Sequence, residues 1–291
     1  MSYSKCETNN VGNMASILPR IFLSAAISIL LLASGTQTAS AYANEGILEL
    51  AIQPVLSEAK TKKAFKPLAE YLSKVTGKQV VVKTMPNFMA YWDTVRRPDS
   101  YDLILDAAHF TDYRREKYGY KILAKIPDSV SYSLIVLAEN FIFDPSELIG
   151  KRIATLGAPS IGAARLDALF PNPMRQPIIV EVANADKGIK LLLDKNVFAA
   201  IIPTPLVSRT MAEGKDISVV MVTEPAPHIA LSASPKMDAN TVAIIRKAII
   251  AANKSPAGKI MLKEIGFPQF DPANAKIYSG QSKLLEKYWG Y

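Results

Sequence analysis

Asp144-Pro145-Ser146-Glu147-Leu148-Ile149-Gly150-Lys151-Arg152-Ile153-Ala154 is the stretch that decides how the chain is organised. Asp144 caps a helical turn, Pro145 suits its first position, and Glu147 stands where a capping-box partner belongs. Gly150 closes the turn and residues 152–156 form a strand. The stretch therefore opens a second α/β unit. Beyond it lie a Gly157-to-Gly162 turn, a helix to about Phe170 and a strand at 178–182. A helix at 184–195 and strands at 198–202 and 218–222 complete the unit.

The preceding residues read as a first unit of the same kind. A strand at 47–52 leads into a helix whose Phe65, Leu68, Leu72 and Val75 recur at helical spacing and stop before Gly77. Strands follow at 80–83, 103–105, 123–126 and 133–138, the last long enough to cross between units. Pro86-Asn87 starts a short helix carrying Tyr91 and Trp92, which Arg97-Pro98 ends. The unbroken apolar character of the strands at 123–126 and 133–138 predicts parallel strands covered on both faces. Around 225–234 the chain turns back to the first unit, and helices at 240–253, 257–265 and 284–289 form the tail.

The N-terminus reads as a leader. Met14 is the better start, Arg20 supplies a positive n-region and residues 21–33 an apolar stretch. Small residues at Ala39-Ser40-Ala41 and Ala41-Tyr42-Ala43 offer cleavage sites, so residues 1–43 are expected to be a secretory signal peptide. An uncleaved anchor is the alternative, although the apolar run is short for a membrane span. Cys6, the only cysteine, lies upstream of that run, and Gly35 follows Leu32-Ala33-Ser34 where a lipobox needs cysteine. The expectation is a periplasmic protein that is not a lipoprotein and has no disulfide or thiolate chemistry.

The formal charge is +8, and loss of Lys5, Arg20 and Glu7 with the leader lowers it by one. The basic residues are scattered, which argues against nucleic acid and favours anionic small molecules or the inner-membrane surface. Enzyme motifs fail. Ala163-Ala164 stand where a phosphate loop needs Lys-Ser/Thr, and no Gly-x-Ser-x-Gly elbow occurs. The two histidines, His109 and His228, are far apart with no cysteine near, so no metal and no cofactor is expected.

In an open α/β sheet, ligands gather where strand ends turn into helix starts. Four turns qualify: Gln53-Pro54-Val55, Asp106-Ala107-Ala108-His109, Ala158-Pro159-Ser160-Ile161-Gly162 and Pro203-Thr204-Pro205. At the third, the free N–H groups of a helix start can hold an oxyanion without a charged side chain.

The order of elements, with Glu147-Leu148-Ile149-Gly150-Lys151-Arg152-Ile153-Ala154 opening the second unit, resembles the phosphate/phosphonate-type substrate-binding proteins of ABC transporters. The resemblance covers nearly the whole mature chain. It implies the type 2 periplasmic-binding fold, two Rossmann-like α/β lobes joined by two hinge strands with the ligand in the cleft. Lobe 1 would be discontinuous, residues 44–135 and 228–291, and lobe 2 would be residues 136–227. The implied function is capture of a small anion by hinge closure for an ABC permease, by a monomer. The loop at Ser160 departs from the family's hydroxyl-rich pattern, since Ala158, Ile161, Ala163 and Ala164 surround a single serine. A second reading therefore stands beside transport: ligand sensing or partner binding that regulates a membrane-bound kinase or cyclase.

Ser160 reads as a donor to an oxyanion or as a plain N-cap, and the two roles coexist. The backbones of Ile161 and Gly162 join it. His109 follows a turn at which the family often presents a ligand-facing side chain; a structural histidine is the rival reading. Asp106 precedes it at the strand end, and Gln53 and Thr204 take the equivalent places after other strands. Either Tyr91 or Trp92 lines the cleft, because neighbours on a helix face differently. His228 lines the return hinge or sits in an exposed turn, and Arg165, one turn into its helix, pairs with an anion or faces solvent.

Overall fold

The computed structural model describes residues 46–287, so the expected signal peptide and Trp289 lie outside the described residues. The chain begins β1 (Ile47–Ile52), α1 (Glu58–Thr76), β2 (Gln79–Lys83), α2 (Phe88–Val95), β3 (Leu103–Asp106), α3 (Ala108–Tyr118) and β4 (Lys121–Lys125). Next come β5 (Ser129–Val130), β6 (Tyr132–Leu137), β7 (Arg152–Thr155), α4 (Ile161–Leu169), β8 (Ile178–Glu181) and α5 (Ala185–Leu193). β9 (Ala199–Pro203), α6 (Thr204–Ala212), β10 (Ile217–Val222), β11 (Ala226–Pro227) and β12 (Ala230–Ala233) follow. The tail holds α7 (Ala239–Ile250), α8 (Pro256–Ile265), β13 (Asp271–Pro272) and α9 (Ala275–Tyr278).

Two mixed sheets carry the fold. The first has the order β13-β4-β12-β3-β1-β2, the second β10-β6-β9-β7-β8. The expectation of parallel strands at 123–126 and 133–138 is overturned. β4 pairs antiparallel with β12 and β13, and β6 antiparallel with β9 and β10. Both are nonetheless covered on both faces, and that burial, not strand direction, explains their unbroken apolar runs. Nor does β6 cross between sheets: it lies wholly in the second. The crossing is made by β5, two residues long, which pairs antiparallel with β11, the return crossing.

Strand alternation divides the core. Leu103 and Leu105 face one apolar cluster with α1, α7 and α8, whereas Ile104 faces another with α2 and α3. The second cluster continues through Tyr132, Ile135, Ala154 and Ile201 into the second sheet. The opening stretch of the second unit folds as its sequence dictates, with Asp144 accepting from the Ser146 N–H at 2.7 Å and Glu147 accepting from the Asp144 N–H at 2.9 Å. The capped turn is a four-residue 3₁₀ helix. β13, an edge strand containing proline, was not expected from sequence.

Candidate functional site

The turn from β7 into α4 is built from a helix start and little else. Ser160 is buried, and its Oγ accepts a hydrogen bond from the Ala163 N–H at 3.2 Å. The Ala164 N–H reaches the Ser160 carbonyl at 3.1 Å, so the N–H groups of Ile161 and Gly162 are unclaimed by the helix. Gly162 is glycine for a packing reason: a Cβ there would stand 3.1 Å from Tyr132 Cδ1. The Tyr132 ring thus lies against the first turn of α4. Burial pushes its phenol well up, and the Arg165 charge partly offsets this. Arg165 Nε is buried with no hydrogen-bond partner, as is Thr155 Oγ1 at the end of β7.

The first sheet contributes a different wall. Asp106 accepts from Arg114 Nη1 at 2.7 Å and Nη2 at 2.6 Å, a bidentate pair with both side chains fully buried. Tyr91 Oη at 2.8 Å and Thr111 Oγ1 at 3.0 Å also donate to that carboxylate. Burial opposes the Arg114 charge, but Asp106 outweighs it and holds the guanidinium above its ordinary value. The Tyr91 phenol is raised first by burial and then by Asp106. Tyr91 and Trp92 are both buried and pack on Phe110, at centroid distances of 5.5 Å and 5.8 Å. Gln53 Oε1 accepts from the Ala107 N–H at 3.0 Å, pinning the loop after β1 to the start of α3.

His109 joins the two walls. Its Nε2 stands 2.9 Å from the Pro159 carbonyl, while Nδ1 is buried without a partner. Burial lowers its pKa to about 4, an effect the nearby Arg114 charge reinforces and the Pro159 hydrogen bond and Asp106 oppose. Two further contacts link the halves: the Ala185 N–H at the start of α5 donates to the carbonyl of Val55 in the loop after β1 at 2.9 Å, and Lys60 of α1 meets Asp186 of α5 at 2.9 Å. The two halves are therefore closed on each other.

Thr204 sits at the edge of the site. Its Oγ1 lies 3.0 Å from Ser131 Oγ and 2.9 Å from Ser133 Oγ, and its N–H donates to the Ser131 carbonyl at 3.0 Å. It ties α6 to the end of the crossing. His228, just after β11, turns the other way, toward the tail: its ring is 6.3 Å from that of Phe267, and Nδ1 accepts from the Ile229 N–H at 2.8 Å. Burial brings its pKa to about 4 as well, with Lys125 adding and Asp128 opposing. An outer groove of about 720 Å³ lies between α1 and α5–α6. It is lined by opposed charges, among them Lys60, Lys63 and Arg209 against Asp186 and Glu213, and does not reach the Ser160 turn.

Sequence reasoning named the helix start but missed its surroundings. Tyr132, Thr155, the Pro159 carbonyl and Arg114 all enter through the fold. Only Gly162, a glycine in the first turn of a helix, hinted that a bulky group lies close.

A family model described as "ABC transporter, phosphonate, periplasmic substrate-binding protein" matches residues 50–278. The chain belongs to this family. It is accordingly a periplasmic substrate-binding protein of the phosphonate ABC-transporter type and not an enzyme, which favours transport over the sensory reading. No curated protein matches the sequence significantly. Among solved structures, this phosphonate-type binding protein resembles PhnD1 from Prochlorococcus marinus (MIT 9301) in complex with methylphosphonate. Identity there is 14%, the TM-score is 0.71, and the match covers 83% of this chain and 97% of that one. A binding protein component of an ABC phosphonate transporter from Pseudomonas aeruginosa matches at 12% identity and a TM-score of 0.69, covering 81% and 84%. A Xanthomonas citri protein bound to ATP matches at 14% identity and a TM-score of 0.62, covering 82% and 98%. These likenesses establish the type 2 periplasmic-binding fold.

Proposed function

We propose that this binding protein captures a small phosphonate- or phosphate-like oxyanion at the start of α4 and delivers it, in the closed form, to an ABC permease. The observation that carries the reading is the pair of unclaimed N–H groups at Ile161 and Gly162 beside the Ser160 cap. A helix start of this kind binds anions through oriented donors and its dipole. Tyr132 and Arg165 stand next to it and extend the donor set. Thr204 and Gln53 fix the loops around it, Tyr91 and Asp106 form the backing wall, and His109 is the side chain that meets the anion loop from the other lobe. His228 takes the hinge role and makes no ligand contact.

In this reading the lobe boundaries expected at 135/136 and 227/228 move back to the crossings β5 and β11, so that β6 rides with the second lobe. Ligand enters when the lobes part, and closure removes water from it. Residues 1–43 direct export and are cleaved, no lipid is attached, and the mature protein acts as a monomer. The methylphosphonate in the Prochlorococcus protein supports the choice of ligand class.

The test is thermal unfolding of protein exported with its own leader, against phosphate, phosphite, alkylphosphonates, sulfonates and small carboxylates. A ligand that binds only the native state raises the melting temperature in a saturable way. A shift with a phosphorus oxyanion is expected. No shift anywhere in the panel overturns the reading.

A further inference from the structure

We propose that the far end of the second lobe, where Phe141, Phe143 and Met174 stand out among unpaired cations, is a docking surface for an anionic lipid bilayer. The inference is independent of what the cleft binds.

The three most exposed large apolar side chains among the described residues lie at this end: Phe141 is 80% exposed, Phe143 89% and Met174 89%. Single exposed apolar residues are ordinary, but a cluster of them marks an interaction surface. Ile142, between the two phenylalanines, packs inward on the core and leaves both rings outside. The loops that carry them are held. The Phe143 N–H donates to Glu147 Oε1 at 2.9 Å, just before the capped 3₁₀ turn. The Met174 N–H donates to Asn172 Oδ1 at 2.9 Å, and the Arg175 N–H to the Asn172 carbonyl at 3.0 Å, which makes an Asx turn. The two loops adjoin: Asp144 and Pro145, next to Phe143, line one groove with Asn172 and Arg175, next to Met174. The Gly150 N–H also reaches the Gln176 carbonyl at 3.0 Å. The apolar side chains thus protrude from braced turns and do not line a pocket, a shape suited to entering a bilayer.

The charges around them decide the kind of bilayer. Lys151, Arg152 and Arg175 are exposed and form no ion pair among the described residues. Asn140, which precedes Phe141, lines a second groove with Lys151, Arg152 and Lys195. The nearby carboxylates are committed within the protein, Glu139 to Lys195 at 2.7 Å and Asp144 and Glu147 to N–H groups of the capping box. Exposed apolar side chains flanked by free lysine and arginine bind the interface between water and anionic lipid. The net positive charge of the chain acts in the same direction. The surface lies at the starts of β7 and β8, at the opposite end of β7 from the Ser160 turn, so a bilayer seated there leaves that turn unobstructed.

The test is co-sedimentation of the exported protein with vesicles of phosphatidylcholine alone and of phosphatidylcholine mixed with phosphatidylglycerol, at low and moderate salt. Phosphatidylglycerol is expected to strengthen binding at least about tenfold, and salt to weaken it. The double variant Phe141→Ser, Phe143→Ser should lose at least about tenfold in binding with its melting temperature unchanged. Arg152→Glu should weaken binding more than Arg246→Glu, an equal charge change at an exposed site on α7. No binding to the phosphatidylglycerol vesicles, full binding by the phenylalanine variant, or equal losses in the two arginine variants overturns the proposal. So does a concentration-dependent dimer that the phenylalanine variant abolishes, because a second copy would then be the occupant.

Discussion

The two walls of the cleft solve opposite problems. The first-lobe wall is charged yet closed on itself: Asp106 takes donors from Arg114, Tyr91 and Thr111, and has no capacity left over. The second-lobe wall is uncharged at its loop yet open, with N–H groups at Ile161 and Gly162 and buried unpartnered atoms at Thr155 and Arg165. A buried charge must be paired to be tolerated, so the first wall acts as a rigid platform. Unclaimed donors are useful only if a ligand can satisfy them, so the proposed function assigns recognition to the second wall. A buried charge can therefore be spent wholly on partners within the protein.

Arg114→Met attacks the first wall and should have the largest effect. It leaves Asp106 buried and unpaired, at a cost of about 3–5 kcal/mol. Urea unfolding measures the loss, and the double variant with Asp106→Leu should recover most of it. A cost of under about 1 kcal/mol for the single variant would mean that the pair does not hold the wall.

Acidification comes next. His109 and His228 both have pKa values near 4 in the folded protein against an ordinary 6.5. Between those values the unfolded chain binds protons that the native state refuses, so stability falls as pH drops through the window. Each histidine contributes up to about 1.4 kcal/mol per pH unit there, and nothing above it. Unfolding free energies from pH 7 to pH 4 give the slope, and His109→Gln should remove one histidine's share. A flat profile would show that neither ring is buried neutral.

Gly162→Ala tests the second wall. The new Cβ meets the Tyr132 ring at 3.1 Å, and the resulting overpacking should cost about 1–3 kcal/mol and weaken anion binding. Unchanged affinity in a folded variant would detach Tyr132 from the site. Ser160→Ala removes the cap, with an expected loss of about 1 kcal/mol and a clear fall in affinity. If only stability moves, capping is the whole role of Ser160. The smallest effect belongs to Lys60→Ala, whose ion pair with Asp186 joins the lobes but is largely exposed. The change should lie below about 1 kcal/mol and vanish in high salt.

How much of this could be read beforehand follows from how local each feature is. The capping box at Asp144 and Glu147, the cap at Ser160 and the helix carrying Leu68 and Leu72 depend on residues within a few positions of one another. Those were legible. The direction of β4 and β6 was not, because an apolar run reports burial on both faces and says nothing about which strand lies beside it. Arg114 gave no signal either: beside Arg115 it reads as part of a solvated basic surface, and only the turn from β3 into α3 brings its guanidinium back to Asp106. Tyr91 and Asp106 were named separately as candidates, and only the fold shows that the Tyr91 hydroxyl donates to the Asp106 carboxylate. His228 was placed near the hinge from its position between Pro227 and Ile229, but its contacts with the tail could not be foreseen.

By itself, then, the sequence determined two α/β units, the helix start at Ser160 and the absence of enzyme motifs, because caps, periodicity and spacing act over short stretches. Tertiary structure alone decided which groups meet there. It set Tyr132 against Gly162, closed Arg114 onto Asp106 and carried His109 to the Pro159 carbonyl, 50 residues away. Those contacts depend on how two sheets and two crossings are arranged in space. The energy that fixes that arrangement is the shared burial of side chains far apart in the chain, which no local pattern encodes.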